Sequence, residues 1–269
     1  DNEFWEVIRK GVLYAKKELA KKNVIIDYYG IKEDVGPELR RLVKEAIDNN
    51  VNGIIVPGFD PLLVELVQLA YNKNIPVMTF NADLPGESKR IAYFGPDINS
   101  TGAVVARIMA KALDGKGEVA FLTEENDAYG RDSTLAELKK YRGIKVAAQA
   151  LGAESIDVSY AVTKELLTKN RNIGALSVYG AGLYGAIKAV EELGLAGKVL
   201  IISCFYNKDI AEYIKKGTVY AAISHDPFGQ GHDAVIHLYN MLVTGQKPEN
   251  ENIWANIEII NKNVAYELV

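Results

Sequence analysis

The sequence NIGALSVYGAGLYGAIKAVE, from Asn172 to Glu191, decides the fold class. Its apolar run Ile173–Val178 is typical of a strand that is buried on both faces of a parallel sheet. A glycine-rich turn, Gly180–Gly185, follows, and from Leu183 onward the pattern is helical. A strand, a glycine turn and a helix in this order form a ligand-facing corner of an α/β fold, which binds either a dinucleotide or another small molecule.

The same alternation of strand and helix continues in both directions along the chain. Apolar runs predict strands at 24–28, 53–56, 76–80, 118–122, 144–150, 173–178, 199–203, 219–223 and 253–260. Helical periodicity predicts helices at 4–22, 37–49, 62–72, 98–113, 131–141, 158–169, 183–193, 208–216 and 228–243. Repeats of roughly 25–30 residues with this order indicate doubly wound parallel sheets with helices on both faces.

Length and composition favour a two-lobed globular protein. The chain has 269 residues, which exceeds the usual size of one domain. Its 48% hydrophobic residues are enough for a packed core, and its 25% charged residues are ordinary for a globular protein. The net charge of −4 is spread along the chain, so no feature attracts nucleic acid or an anionic membrane. The one cysteine, Cys204, excludes an intramolecular disulfide.

The predicted lobes share the chain discontinuously. We expect one lobe from 1–95 plus 227–251 and the other from 96–226 plus 252–269, with crossings near Gly95-Pro96, at 225–227 and at 247–252. A doubly wound lobe usually begins with a strand, but the sequence opens directly in the helix at Phe4. The missing strand is therefore expected upstream or from elsewhere.

Three motifs suggest chemistry, and each has a simpler interpretation. Gly180-x-Gly182-x-x-Gly185 fits the dinucleotide fingerprint, but the acid required at the end of the next strand is absent, which leaves a tight turn with close packing. The histidines at 225, 232 and 237 have poor spacing for zinc. The acidic run 124–127 is interpreted as a solvated loop rather than as a general acid or base. We therefore predict no catalysis, no metal and no cofactor.

Four segments carry a resemblance to a known family. They are Asn2–Trp5, Asn74–Asn81, Ile91–Asp97 and Gly217–Ile223, and in this order and spacing they resemble the type I periplasmic binding protein family, in its ribose- and galactose-binding group. The resemblance covers nearly the whole chain. It implies two doubly wound parallel-sheet lobes, joined by three crossings, that close on a sugar-like solute without catalysis.

The resemblance also implies partners and a compartment. We expect an extracytoplasmic protein, periplasmic or at the cell surface, that serves an ABC-type membrane transporter or an attached signalling module and binds no nucleic acid by this chain alone. The alternative is the effector domain of a LacI-type transcriptional regulator, which would be cytoplasmic.

Carrying the family's ligand contacts across by position implies a set of binding residues. The set is Phe4, Trp5, Asn81, Asp83, Arg131, Ser133, Tyr179, Phe205, Asn207 and His225. Phe4 and Trp5 stand where relatives stack an aromatic ring on the sugar. The charged groups with which relatives hold hydroxyls are largely replaced by Tyr, Phe, His, Ser and Asn, which predicts an atypical ligand.

Overall fold

A computed structural model describes residues 3–85, 87–124, 130–180 and 182–263. The described helices are α1 (Glu3–Leu19), α2 (Val35–Asp48), α3 (Leu63–Asn72), α4 (Ile98–Ala112), α5 (Arg131–Leu138), α6 (Ile156–Lys169), α7 (Leu183–Glu192), α8 (Lys208–Lys216) and α9 (Pro227–Thr244). The described strands are β1 (Ile54–Pro57), β2 (Val77–Phe80), β3 (Ala92–Gly95), β4 (Lys116–Thr123), β5 (Gly143–Leu151), β6 (Ile173–Val178), β7 (Leu200–Ser203), β8 (Val219–Ser224), β9 (Asn252–Trp254) and β10 (Glu258–Asn261). The α/β alternation predicted from the sequence is confirmed.

The chain divides into two compact units. The first contains Asp1–Pro96 and His225–Asn256, and the second contains Asp97–Ser224 and Ile257–Val269. The chain therefore passes from one unit to the other after Pro96, after Ser224 and after Asn256.

The first unit is built on a parallel four-stranded sheet with the order β1-β2-β3-β9. Helices α1 and α9 pack closely on each other, because glycines remove the side chains from their contact. A Cβ on Gly231 would collide with the carbonyl oxygen of Ile8, and one on Gly11 would collide with that of Phe228. This contact places the middle of α1 beside the start of α9.

The second unit has a six-stranded sheet with the order β10-β8-β7-β6-β4-β5. All neighbours run parallel except β10, which pairs antiparallel with β8. The run Ile173–Val178 forms β6 between β4 and β7, and its side chains Leu176 and Val178 are buried, as the sequence predicts.

The glycine corner after β6 is filled by neighbouring backbone. The N–H of Gly182 donates to the carbonyl oxygen of Ala153 at 2.5 Å, and a Cβ on Gly185 would collide with the carbonyl oxygen of Ile156 at the start of α6. The predicted close packing is confirmed, and its partners are the start of α6 and the segment just before it. The N–H that would face a pyrophosphate in a dinucleotide site is occupied.

Two predictions from the sequence differ from the structure. The strand expected at 24–28 is wrong: the segment carries no strand pairing, and Ile25 is 86% exposed. The strand expected at 253–260 is divided between the two sheets. Because Phe94 of β3 pairs with Ile253, residues 252–256 lie in the first unit, whereas the sequence placed the crossing at 247–252.

Candidate functional site

The aromatic residues at the start of α1 lie at the carboxyl edge of the first unit's sheet. The ring of Trp5 packs edge-to-face on that of Phe80, the last residue of β2, with centroids 6.1 Å apart. Phe4 packs against Trp5 at 5.4 Å in the same manner. Open α/β sheets bind ligands at the carboxyl ends of their strands, so Trp5 stands at the edge where a ligand is expected.

Asn81 follows β2 directly, and its side chain is held by Gln230. Its backbone adopts φ of +61°, a left-handed conformation that Asn tolerates better than most residues. Its side-chain Nδ2 donates to Oε1 of Gln230 at 3.0 Å, and Nε2 of Gln230 donates to the carbonyl oxygen of His225 at 2.7 Å. The structure thus brings Asn81 and His225 to one place through Gln230, which is almost fully buried.

His225 is neutral at physiological pH. Burial lowers the pKa of its imidazole to about 4, from an ordinary value of 6.5. A neutral imidazole has one nitrogen that donates and one that accepts a hydrogen bond. This combination suits a hydroxyl, which also donates and accepts.

Asp83 is engaged within the first unit. Its carboxylate accepts hydrogen bonds from the Thr79 hydroxyl at 2.6 Å, from the backbone N–H of Leu84 at 2.9 Å and from Arg90 at 2.5 Å. With these donors in place, Asp83 shapes the loop after β2.

In the second unit, the polar groups at the start of α5 serve the helix itself. The hydroxyl of Ser133 donates to the carbonyl oxygen of Gly130 at 2.7 Å. Arg131 is 30% exposed in its side chain and lies 3.4 Å from the carboxylate of Asp132. Tyr179 is buried in the core, and its hydroxyl lies 3.2 Å from that of Thr134. Tyr179 therefore supports the wall of this edge rather than its surface.

Phe205 and Asn207 follow β7 at the same end of the second sheet. Asn207 caps α8, because its Oδ1 accepts the N–H of Ile210 at 2.9 Å, while its Nδ2 donates to the hydroxyl of Tyr184 at 2.9 Å. Phe205 is half-buried against the core. Of this pair, Phe205 presents the freer surface for a ligand.

The comparison with known families decides the identity. A family model described as "Periplasmic binding protein domain" matches residues 1–247. The chain belongs to the periplasmic binding protein family. A search of curated proteins finds no match.

Solved structures agree with this family. A periplasmic solute-binding protein of an ABC transporter from Actinobacillus succinogenes 130z, solved with bound D-allose, is 26% identical with a TM-score of 0.86, covering 99% of this chain and 96% of its own. GanP, a glucose-galactose binding protein from Geobacillus stearothermophilus, is 26% identical with a TM-score of 0.83, covering 98% and 94%. A chain of the XylFII-LytSN complex, 24% identical with a TM-score of 0.78 over 98% and 94%, shares the fold. These findings do not favour the LacI-type alternative.

Sequence reasoning missed Gln230, although a signal was present. The start of α9 follows a crossing, and Gln230 lies there among buried residues of the helix that are otherwise Gly, Ala, Val and Leu. A polar residue at a buried helix position needs hydrogen-bond partners, which points to a network. Arg90 was missed because its partners, Glu251 and Asn252, are far away in sequence.

The structure describes the surroundings of most of the remaining motifs. Among the described residues, no three His, Cys, Asp or Glu side chains are grouped to hold a metal ion. His232 lies between Glu18 and Asp233, whereas His237 lies against Phe94. Burial, followed by the nearby Glu154, raises the pKa of Glu124, and residues 125–127 of the acidic run lie outside the described residues. Cys204 is buried, as predicted.

Proposed function

We propose that this chain reversibly binds a sugar or sugar-like solute, without catalysis, for ABC-type uptake. The observation that supports it most is the cluster of Trp5, Asn81 and His225 at the carboxyl edge of the first unit's sheet. An aromatic face suits the C–H side of a sugar ring, and an amide with a neutral imidazole suits its hydroxyls.

The proposed contacts come from both units. In the first we assign Phe4, Trp5, Asn81 and His225, and in the second Arg131 and Phe205. A further group is assigned to shaping the site, because its polar side chains hold the loop, the helix starts or the core on which they lie: Asp83, Ser133, Tyr179 and Asn207.

The ligand class follows from these contacts and from the relatives. The relative with bound D-allose and the glucose-galactose binding protein are both 26% identical to this chain, which makes monosaccharides the first probes. Because neutral groups replace most of the charged pairs, we expect a ligand held by neutral hydrogen bonds, which are weaker than charge-assisted ones. Closure of the two lobes on it, which the family resemblance implies, stays a prediction.

We propose an extracytoplasmic location and a membrane transporter as the partner that receives the ligand. None of the described helices is long and apolar enough to span a membrane. The alternative partner, an attached signalling module, stays a prediction, since the XylFII-LytSN complex resembles this chain in fold alone.

Tryptophan fluorescence tests the proposal directly. The chain has two tryptophans, Trp5 and Trp254, so the Trp254→Phe variant leaves Trp5 as the one reporter. Titration of this variant with D-allose, D-glucose and D-galactose should shift the emission of Trp5. Trp5→Ala should weaken the affinity measured by calorimetry by at least about tenfold, or ~1.4 kcal/mol.

Trp254→Ala is the matched control, because Trp254 packs on Tyr93 and is half exposed on β9. It should leave the affinity within about twofold, a difference well below 1 kcal/mol. Equal losses for both tryptophans would refute the aromatic contact at Trp5. No emission change or calorimetric heat with any sugar, from a folded protein, would refute the proposed function.

A further inference from the structure

The loop that follows β2 is connected by side chains to each place where the chain changes unit. We call the segment Asn81–Leu84 the β2 loop. The chain leaves or enters the first unit after Pro96, before His225 and after Asn256. A separate buried or half-buried side chain links the β2 loop to the segment at each of these three crossings.

Tyr93 makes the link to the first crossing. Its hydroxyl lies 3.0 Å from the carbonyl oxygen of Asn81 and 3.2 Å from that of Pro96, the last residue before the crossing. One hydroxyl proton serves one acceptor at a time, so Tyr93 shares it between the loop and the crossing. Gly95 makes room for this arrangement, because a Cβ there would collide with the hydroxyl.

Gln230 makes the link to the second crossing. It accepts from the amide of Asn81 and donates to the carbonyl oxygen of His225, the first residue after the crossing. Its side chain is 1% exposed, so both hydrogen bonds replace contacts with water that the residue cannot make. The orientation of the Asn81 amide is thereby tied to the backbone of His225.

Arg90 makes the link to the third crossing. Its guanidinium donates to Asp83 at 2.5 Å, to the carbonyl oxygen of Glu251 at 3.0 Å and to the side chain of Asn252 at 3.0 Å. Asn252 begins β9, which leads to the crossing after Asn256. The side chain of Arg90 is only 12% exposed, and a guanidinium with several fixed acceptors holds its geometry well.

We propose that Tyr93, Gln230 and Arg90 are positioning residues that couple the β2 loop to all three crossings. Occupation of Asn81 by a ligand then biases the backbone at the crossings, and the state of the crossings in turn sets the affinity of the loop, as linkage requires. The ligand part of this coupling rests on the proposed function. The network itself does not, because it lies within the first unit.

Hydrogen–deuterium exchange of the ligand-free protein tests the network. Three amides report on it: Asn81 N–H, bonded to Phe94 O; Gly229 N–H, bonded to Asp226; and Ala255 N–H, bonded to Gly95 O. Gln230→Met should speed exchange at Ala255, and Arg90→Met should speed it at Gly229, although neither residue bonds these reporters. We expect about fivefold or more, the lower end of typical coupling between sites.

Each variant has a matched control on the surface of the same unit. The controls are Gln68→Met, Arg41→Met and Tyr71→Phe, whose side chains bond or stack within α2 or α3 or with Lys89. Tyr93→Phe removes one hydroxyl and keeps the ring, so it serves if either other variant does not fold. Faster exchange confined to the residues that contact the substituted side chain would overturn the coupling.

A second measurement separates this proposal from the proposed function. Saturating D-allose should slow exchange at Gly229 and Ala255 in the wild type, and less so in Gln230→Met. If D-allose binds and leaves these amides unchanged, the ligand coupling is refuted while the binding function stands. If no sugar binds, the proposed function fails, and the variant exchange pattern alone decides whether the network couples the crossings.

Discussion

Each unit contains a similar apolar segment, but only the segment in the second unit forms a strand. In the second unit, β7 is paired on both sides, by β6 and β8, and Ile202 within it is completely buried. In the first unit, residues 24–28 have a comparable sequence, but they form no strand, and Ile25 is 86% exposed. Among the described residues, β1 is paired by β2 alone. An apolar β-branched run becomes a strand when a neighbour is there to complete its hydrogen bonds.

The polar groups near the carboxyl ends of the two sheets also differ, in how far away in the sequence their hydrogen-bond partners lie. In the second unit, Ser133 bonds within α5, and Asn207 caps α8 and reaches Tyr184, 23 residues away. In the first unit, Asn81, Gln230 and Arg90 bond across more than a hundred residues. The polar groups of the first unit therefore depend on more distant parts of the chain than those of the second unit do.

The largest expected difference between the units concerns matched isoleucines. Ile202→Ala should lower the free energy of unfolding by about 2–5 kcal/mol, because it leaves a cavity in a close-packed sheet core. Ile25→Ala should change it by no more than about 0.5 kcal/mol, as for other exposed positions. Chemical denaturation of both variants measures the contrast.

A loss of more than about 2 kcal/mol in Ile25→Ala would contradict the exposed position of residue 25. It would mean that Ile25 is packed in solution, as the neighbouring Val24 and Ile26 partly are. Tyr29→Ala is a second check on the same segment, since Tyr29 is also mostly exposed.

Parts of the fold that depend on local sequence could be predicted, whereas parts that depend on a distant strand neighbour could not. The run 173–178 was recognisable because continuous apolar residues followed by glycine have few other uses in an α/β chain. Residues 24–28 could not be assigned correctly, since strand formation depends on a neighbour that the local sequence does not specify. The division of 253–260 between two sheets is likewise a matter of long-range pairing, seen only when Ile253 is opposite Phe94.

The site was predictable to the extent that it depends on position along the chain. The family resemblance assigned Trp5 and Asn81 as ligand contacts, and the structure has them at a helix start and directly after a strand, as the sequence pattern indicates. Their contact with a ligand stays a prediction. Tyr179 was expected to face a ligand, but its burial beside Thr134 depends on how α5 packs, which periodicity does not reveal. Arg90 has partners more than a hundred residues away, so no local pattern identifies it. The pattern around Gln230 indicates a buried polar residue, but it does not identify Asn81 as the partner.

An intermediate effect is expected for matched glycines that contact backbone. A Cβ on Gly58 would lie 2.6 Å from the carbonyl oxygen of Ala82, and one on Gly185 would collide with that of Ile156. Gly58→Ala and Gly185→Ala should each cost about 1–3 kcal/mol of stability, as overpacking does. Gly58→Ala should also weaken D-allose binding, because it displaces the β2 loop.

The binding measurement decides whether this difference between the units is real. Calorimetry at a temperature where both variants are folded should show weaker binding for Gly58→Ala and unchanged binding for Gly185→Ala. Equal affinities in the two variants would show that the β2 loop does not set ligand binding. Gly217→Ala, with open space around its Cβ but φ of +85°, controls for general destabilisation.

The smallest expected effect is a pH dependence that belongs to the first unit alone. His232 lies 2.5 Å from Glu18 and 2.6 Å from Asp233, and both ring nitrogens donate only when the imidazole is charged. Burial lowers the pKa of His232, but the hydrogen bonds that the ring donates to Glu18 and Asp233 outweigh burial, so the pKa is raised above 6.5. The stabilisation by charged His232 is therefore complete below pH 6.5 and is lost as pH rises through the higher, folded-state pKa.

Since both carboxylates are half exposed, we expect charged His232 to contribute less than ~1 kcal/mol to the free energy of unfolding. The free energies of unfolding of the wild type and His232→Gln, measured by chemical denaturation, should thus differ more at pH 6 than at pH 9.

The second unit offers the control. Hydrogen bonds raise the pKa of Lys164 from 10.5 and lower that of Glu192 from 4.5, so the stability of Lys164→Gln relative to the wild type should show no such trend between pH 6 and pH 9. A difference for His232→Gln that grows toward pH 9 would reverse the sign and refute a charged His232.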